Sequence, residues 1–292
     1  MGEIHKEKGA GWLPDVPDHR DYTHEHGAIA PLLEAANLAD PNKVALPATM
    51  DLREWFPPIE DQGKINSCTA HAVTGLAAYY QNRAYGTYLE GSRLFLYKVS
   101  RDLLGWTDDK GAHTRTAMCA LALFGAPPEK YWPYDPESVN KEPTAFCYAF
   151  AQNYQAMQYY RLDPPNTPTD QLLGQIKSHL ASGLPMAFGF SVYWGVSLAQ
   201  VTGQIPYPSP IEKQLNGHAV VAVGYDDTLK IMNTMPKGIE TTGALLIRNS
   251  WGTEWGDKGY GWLPYEYVLN GLAVDWWVLL KEDWVDLGMF GL

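Results

Sequence analysis

Two kinds of hydrophobic spacing follow one another along this 292-residue chain, helical spacing first and short apolar runs second. Residues 68–85, CTAHAVTGLAAYYQNRAY, place Ala72, Leu76 and Tyr79 or Tyr80 on one face, and Gly86 stops the run. TRTAMCALALFG predicts a second helix ended by Gly125, with Pro127 and Pro128 just beyond. TPTDQLLGQIKSHLASG predicts a third, opened by a Thr or Asp cap and ended at Gly183. Five strand-like runs follow: PMAFGFSV, HAVVAVGYD, ALLIRNSW, GYGWLPY and AVDWWVLL. Helices first and strands second predict an α+β protein of two unlike halves. The proline-rich RLDPPNTPTD puts their boundary near residues 155–165. The chain thus divides into a polar arm (1–46), a mainly helical half (47–158) and a β-rich half (159–292).

Composition narrows the function. Hydrophobic content of 46% supports a sizeable core. No apolar run approaches the roughly 20 residues of a membrane span. The start lacks a secretory apolar core, and Lys6 breaks the myristoylation pattern, so a cytoplasmic protein is expected. The net charge of −11 and the absence of a basic stripe argue against nucleic acid as a partner. Three cysteines, none spaced C-x-x-C, give neither a disulfide framework nor a zinc site. Cys119 and Cys147 are expected to be buried thiols. His24-Glu25-His26 is not the H-E-x-x-H pattern and is read as solvated. No metal or cofactor is expected.

Cys68 opens the first predicted helix, where unpaired N–H groups and the macrodipole favour a thiolate. Such a nucleophile needs a proton partner, and His218, leading into the strand HAVVAVGYD, is the best placed of eight histidines. Asn249, closing ALLIRN, can accept from the imidazole N–H without adding a full charge. Trp251 offers a flat apolar face to keep water off that hydrogen bond. Gln62, six residues before the cysteine, carries an amide NH₂ that could join the Cys68 backbone N–H around an oxyanion. His71 shares the helix side with Cys68, but its ring is expected to point along the helix and not across a cleft.

The blocks LPATMDLREWFPPIEDQGKINSC, NGHAVVAVGYDD and IRNSWGTEWGDKGYGW, with YWPYD between the first two, resemble the papain family of cysteine peptidases, in particular its small bacterial members. The resemblance covers about residues 46–280 and keeps the order Gln, Cys, His, Asn. It implies a two-domain fold: a helical left domain presents Cys68, and a β-barrel-like right domain presents His218 and Asn249 across a groove. It also implies peptide-bond hydrolysis through an acyl-enzyme with no cofactor, on peptide or protein substrates, by a monomer. Cys68 attacks, His218 moves the proton, Asn249 orients the ring and Gln62 stabilises the oxyanion. Three departures stand out. Ile65 occupies the position of a disulfide-bonded cysteine, and Thr69 replaces a tryptophan. His218 and Asn249 lie 31 positions apart, which predicts an extended hairpin.

By the same resemblance, Gly111 is the residue expected to pair with a substrate backbone, with His113 lining the groove. Asp275 falls at the floor of the pocket for the second side chain before the cut. There it would favour Arg or Lys; otherwise it is a structural carboxylate paired within the right half. The arm, with Trp12, Leu13 and Tyr22 as anchors, either crosses the groove and restricts access or packs on the back of the fold. An endopeptidase is the leading expectation. A chain-end exopeptidase and a silent peptide binder are the alternatives, and Asn249 in place of Asp argues against an isopeptide transferase.

Overall fold

The computed structural model describes residues 8–35, 38, 46–152 and 158–280. Its helices are α1 (Ala30–Ala35), α2 (Cys68–Tyr85), α3 (Arg93–Leu103), α4 (Thr114–Phe124), α5 (Ala145–Ala151), α6 (Thr169–Ala181), α7 (Ala199–Thr202) and α8 (Glu266–Leu269). Its strands are β1 (Thr49–Asp51), β2 (Gln158–Arg161), β3 (Met186–Tyr193), β4 (Gln214–Met232), β5 (Glu240–Arg248), β6 (Tyr260–Pro264) and β7 (Ala273–Leu280). The strands form one antiparallel sheet in the order β2-β7-β3-β4-β5-β6, with β1 added on β4. Apart from β1, every strand follows helices α2–α5 in the chain, which gives an α+β arrangement of a helical half and a β-rich half.

Helix α2 spans the predicted residues and ends where Gly86 turns left-handed at φ 68°. Its surroundings differ from the single apolar face that the spacing suggested. All side chains from Cys68 to Tyr80 are buried, because α2 lies between α3 and α4 on one side and β4 on the other. Its polar members close on their own backbone: Thr74 Oγ1 donates to Ala70 O at 2.8 Å, and His71 Nδ1 lies 3.1 Å from Ser67 O. Helix α6 begins without the expected Thr or Asp cap, since Pro168 occupies the N-cap position and makes no side-chain bond there.

The five predicted strands are β3 to β7. The long gap between His218 and Asn249 is a hairpin, with Lys230 opposite Thr242 and Met232 opposite Glu240. Two short strands escaped the sequence. β1 comes from the helical half yet joins the right-hand sheet on β4, and β2 emerges at the proline-rich boundary to pair with β7. One buried cluster runs continuously through both halves. Arg93 and Arg248 meet Glu60 at 3.0 and 3.1 Å, so the loop before α2 is clamped to α3 and β5 by buried charge.

Candidate active site

The site forms where the start of α2 meets β4 and the end of β5. Cys68 is the first residue of α2, behind Ser67. Its Sγ accepts from Ala219 N at 3.4 Å, so the sulfur lies against the amide that follows His218. His218 Nε2 and Ser250 N both lie 2.7 Å from Asn249 Oδ1. A backbone N–H can only donate, so that Asn249 atom is the oxygen, and His218 must carry its proton on Nε2. Its lone pair is therefore on Nδ1, which is buried and has no hydrogen-bond partner. Trp251 stacks on the ring with centroids 4.4 Å apart, covering the His218–Asn249 bond.

Gln62 is fully buried, and its amide is oriented from both ends. Ser250 Oγ donates to Oε1 at 2.5 Å, and Nε2 donates to Ile65 O at 2.7 Å, leaving a second N–H on the same nitrogen. Tyr134, from the YWPYD block, fixes the loop by donating to Gln62 O at 2.9 Å while its hydroxyl lies 2.6 Å from Ser67 Oγ. Ser250 and Tyr134 were not singled out in the sequence. Their roles arise from contacts 188 and 72 residues away, which no local pattern encodes.

The arm lies over this constellation. Gly9 N donates to Gly63 O at 2.8 Å, and Trp251 Nε1 donates to Gly9 O at 3.0 Å. Trp12 N donates to Gly217 O at 3.3 Å, and Trp12 packs against Cys68 and Ala219. Beyond it, Leu13 O accepts from the ring of His113 at 2.9 Å. The backbone partner of the arm is Ala112, not Gly111. Ala112 N donates to Gly11 O at 2.9 Å and Leu13 N donates to Ala112 O at 3.2 Å. Gly111 gives its N–H to Tyr97 Oη at 3.0 Å instead. Its φ of 98° and its closeness to Gly11 O, 1.9 Å from where a Cβ would stand, explain the glycine. Of the other two arm anchors, Leu13 reaches the groove, whereas Tyr22 O accepts from Arg161 N at the edge of β2.

Covering changes the electrostatics. Burial pushes the Cys68 thiol up to about 12, against the opposing pull of nearby backbone amides, the Ala219 N–H that donates to the sulfur foremost. Burial likewise holds His218 down to about 4, with the Asn249 bond opposing. The helix terminus was expected to stabilise a thiolate; beneath the arm desolvation outweighs it, and the pair rests as neutral thiol and neutral imidazole. His71, one turn along α2 from Cys68, is also held down to about 4 by burial.

Asp275 is fully buried on β7. It accepts from the indoles of Trp12, at 3.0 Å on Oδ2, and Trp277, at 2.7 Å on Oδ1, and lies 3.4 Å from Arg161. All three cysteines are free; Cys147 is buried, while Cys119 is half-buried and not the sealed thiol expected. Among the described residues no group of His, Cys, Asp and Glu could hold a metal, and no helix is long and apolar enough to cross a membrane.

Comparison with known proteins gives this geometry a lineage. The sequence profile described as "Papain family cysteine protease" matches residues 46–268. An uncharacterized peptidase C1-like protein of Acanthamoeba polyphaga mimivirus is 31% identical over 92% of this chain and 86% of its own. The thiol protease aleurain of Arabidopsis thaliana is 29% identical over 82% of this chain, which spans 62% of that protein. Among solved structures, xylellain, a cysteine protease from Xylella fastidiosa, is 34% identical with a TM-score of 0.73, covering 94% of this chain and 97% of its own. The chain belongs to the papain family of cysteine proteases.

Proposed function

We propose that this papain-family cysteine peptidase is an endopeptidase whose N-terminal arm holds it inactive until displaced. The observation that carries the chemistry is the fixed tautomer of His218: with the proton on Nε2, the unpartnered Nδ1 is the atom free to take a proton from the Cys68 thiol. The thiolate then adds to the carbonyl carbon of the scissile peptide. The resulting oxyanion is held by the second Gln62 N–H and the Cys68 amide. The imidazolium returns its proton to the departing amine and leaves a thioester. Water, deprotonated by the same Nδ1, hydrolyses the thioester and restores Cys68.

The arm is supported as an inhibitor by its cover of the sulfur: Trp12 packs on Cys68 and Ala219, its N–H is given to Gly217 O at 3.3 Å, and its indole is held by Asp275. Endopeptidase action is supported by its course. Among the described residues, the segment from Gly9, at Trp251, to Leu13, at His113, runs across the site as an extended stretch of backbone, the course that a substrate reaching to both sides of its scissile bond would take. The test is labelling by an epoxide thiol inhibitor bearing a peptide side chain, followed by mass mapping. In the chain carrying Trp12→Ala, from which the arm is released, stoichiometric modification of Cys68 that is lost when His218→Ala is added is the expected result. Equal labelling of Cys119 and Cys147 would make Cys68 an ordinary thiol and overturn the reading.

A further inference from the structure

We propose that the pocket filled by Trp12 selects a tryptophan side chain in substrates, with Gly189 and Gly217 making room for the bicyclic ring and Asp275 accepting its N–H. This deepens the peptidase reading and rests on it. The two glycines stand at the wall of the pocket. A Cβ on Gly189 would lie 1.8 Å from the Trp12 ring, and one on Gly217 would lie 2.5 Å from it. Any other residue at either position would occupy the space of the indole. At the floor, Trp12 Nε1 donates to Asp275 Oδ2 at 3.0 Å.

A buried carboxylate at a pocket floor suggests a Lys or Arg guest, but two observations here point elsewhere. First, Asp275 Oδ1 is already committed to Trp277 Nε1 at 2.7 Å and to Arg161 at 3.4 Å. Departure of Trp12 frees the Oδ2 partner alone, which matches one N–H donor and not the fork of a guanidinium. Second, the charges around Asp275 balance once the arm has gone. Arg161 faces Asp163, Asp275 and, at 3.8 Å, Asp21 of the arm, and Arg115 faces the arm residues Asp15 and Asp21. When Asp15 and Asp21 leave with the arm, two guanidiniums and two carboxylates remain, with no surplus negative charge to repay a cation for its lost hydration. A neutral aromatic donor fills the volume, satisfies the freed oxygen and brings no charge. Phenylalanine would leave that oxygen without a partner, and such a deficit discriminates strongly in a buried site.

The experiment uses the full chain carrying Cys68→Ser and Trp12→Ala, which empties the pocket and prevents turnover. Calorimetric titration with N-acetyl-tryptophanamide is expected to show binding about tenfold or more tighter than with the phenylalanine or arginine amide. Adding Gly189→Ala, or Gly217→Ala if the first variant does not fold, is expected to abolish it. Equal or tighter binding of the arginine amide, binding that survives the folded alanine variant, or no binding of any amide would overturn the proposal. With Cys68 intact, cuts in a mixture of unstructured peptides should enrich Trp at one fixed distance from the bond broken. Trp-amide binding without any cleavage would sink the peptidase reading and leave the pocket; cleavage that favours Arg or Lys at that position would do the reverse.

Discussion

Replacing Trp12 by alanine should uncover Cys68 in the otherwise intact chain. Trp12 is only 4% exposed, packs on Cys68 and Ala219, and gives its indole N–H to Asp275. Truncating a buried tryptophan costs on the order of 3–5 kcal/mol. That energy here belongs to the docked state of the arm. Loss of about 4 kcal/mol raises the uncovered population by up to about 10³-fold, at roughly 1.4 kcal/mol per decade, until the arm is mostly displaced. The gain should be compounded at the sulfur, because rehydration removes the burial that pushes the thiol up to about 12 and His218 down to about 4. The assay is the alkylation rate of Cys68 at pH 7, followed by mass mapping, alongside turnover of a small peptide substrate. Half-buried Cys119 lines a cavity with Asp21 and Tyr22 of the arm, so mass mapping assigns the labelling of each thiol separately. A folded Trp12→Ala protein that labels Cys68 and turns over substrate no faster than the parent would refute the reasoning: the arm would then lie on the groove without closing it.

Two further outcomes follow from the same geometry. Gln62→Ala removes the buried amide held between Ser250 and Ile65, and should lower kcat by about 10²–10³ with little change in KM, as expected for a donor used mainly in the transition state; an equal loss spread into KM would assign Gln62 to ground-state binding. His71, His179 and His218 are each held down to about 4 by burial, whereas an unfolded imidazole titrates near its ordinary 6.5. The unfolded chain therefore binds more protons between these values, so this stability is present above about pH 6.5 and is lost as pH falls towards 4. At pH 5 the loss is at most about 2 kcal/mol per imidazole, with Asp163 and Asp275, whose carboxyls burial raises, acting in the opposite sense. His179→Gln, a site away from the groove that contacts Tyr160 and Gln175, should lose less stability between pH 7 and 5 than the parent in urea unfolding; an identical loss would contradict the assignment.

By itself the sequence determined the elements and the order of the chemistry. Apolar spacing and a terminal glycine define α2, and the continuous apolar runs define β3 to β7, because those signals act within a few residues and match the period of each structure. The four blocks likewise identify Gln62, Cys68, His218 and Asn249, since each lies inside a local motif. What only the tertiary structure decided depends on distance along the chain. β1 and β2 are too short to show a period, and they exist because β4 and β7 offer them edges. The burial of α2 on all sides, the holding of Gln62 by Ser250, and the pairing of the arm with Ala112 arise from surfaces that meet only after folding. Above all, the burial of Cys68 beneath the arm has no local signal in the sequence. A helix start stabilises a thiolate by an interaction confined to one turn, whereas the burial that pushes the thiol up is made by distant segments that meet it only in the fold, Trp12 and Ala219 among them.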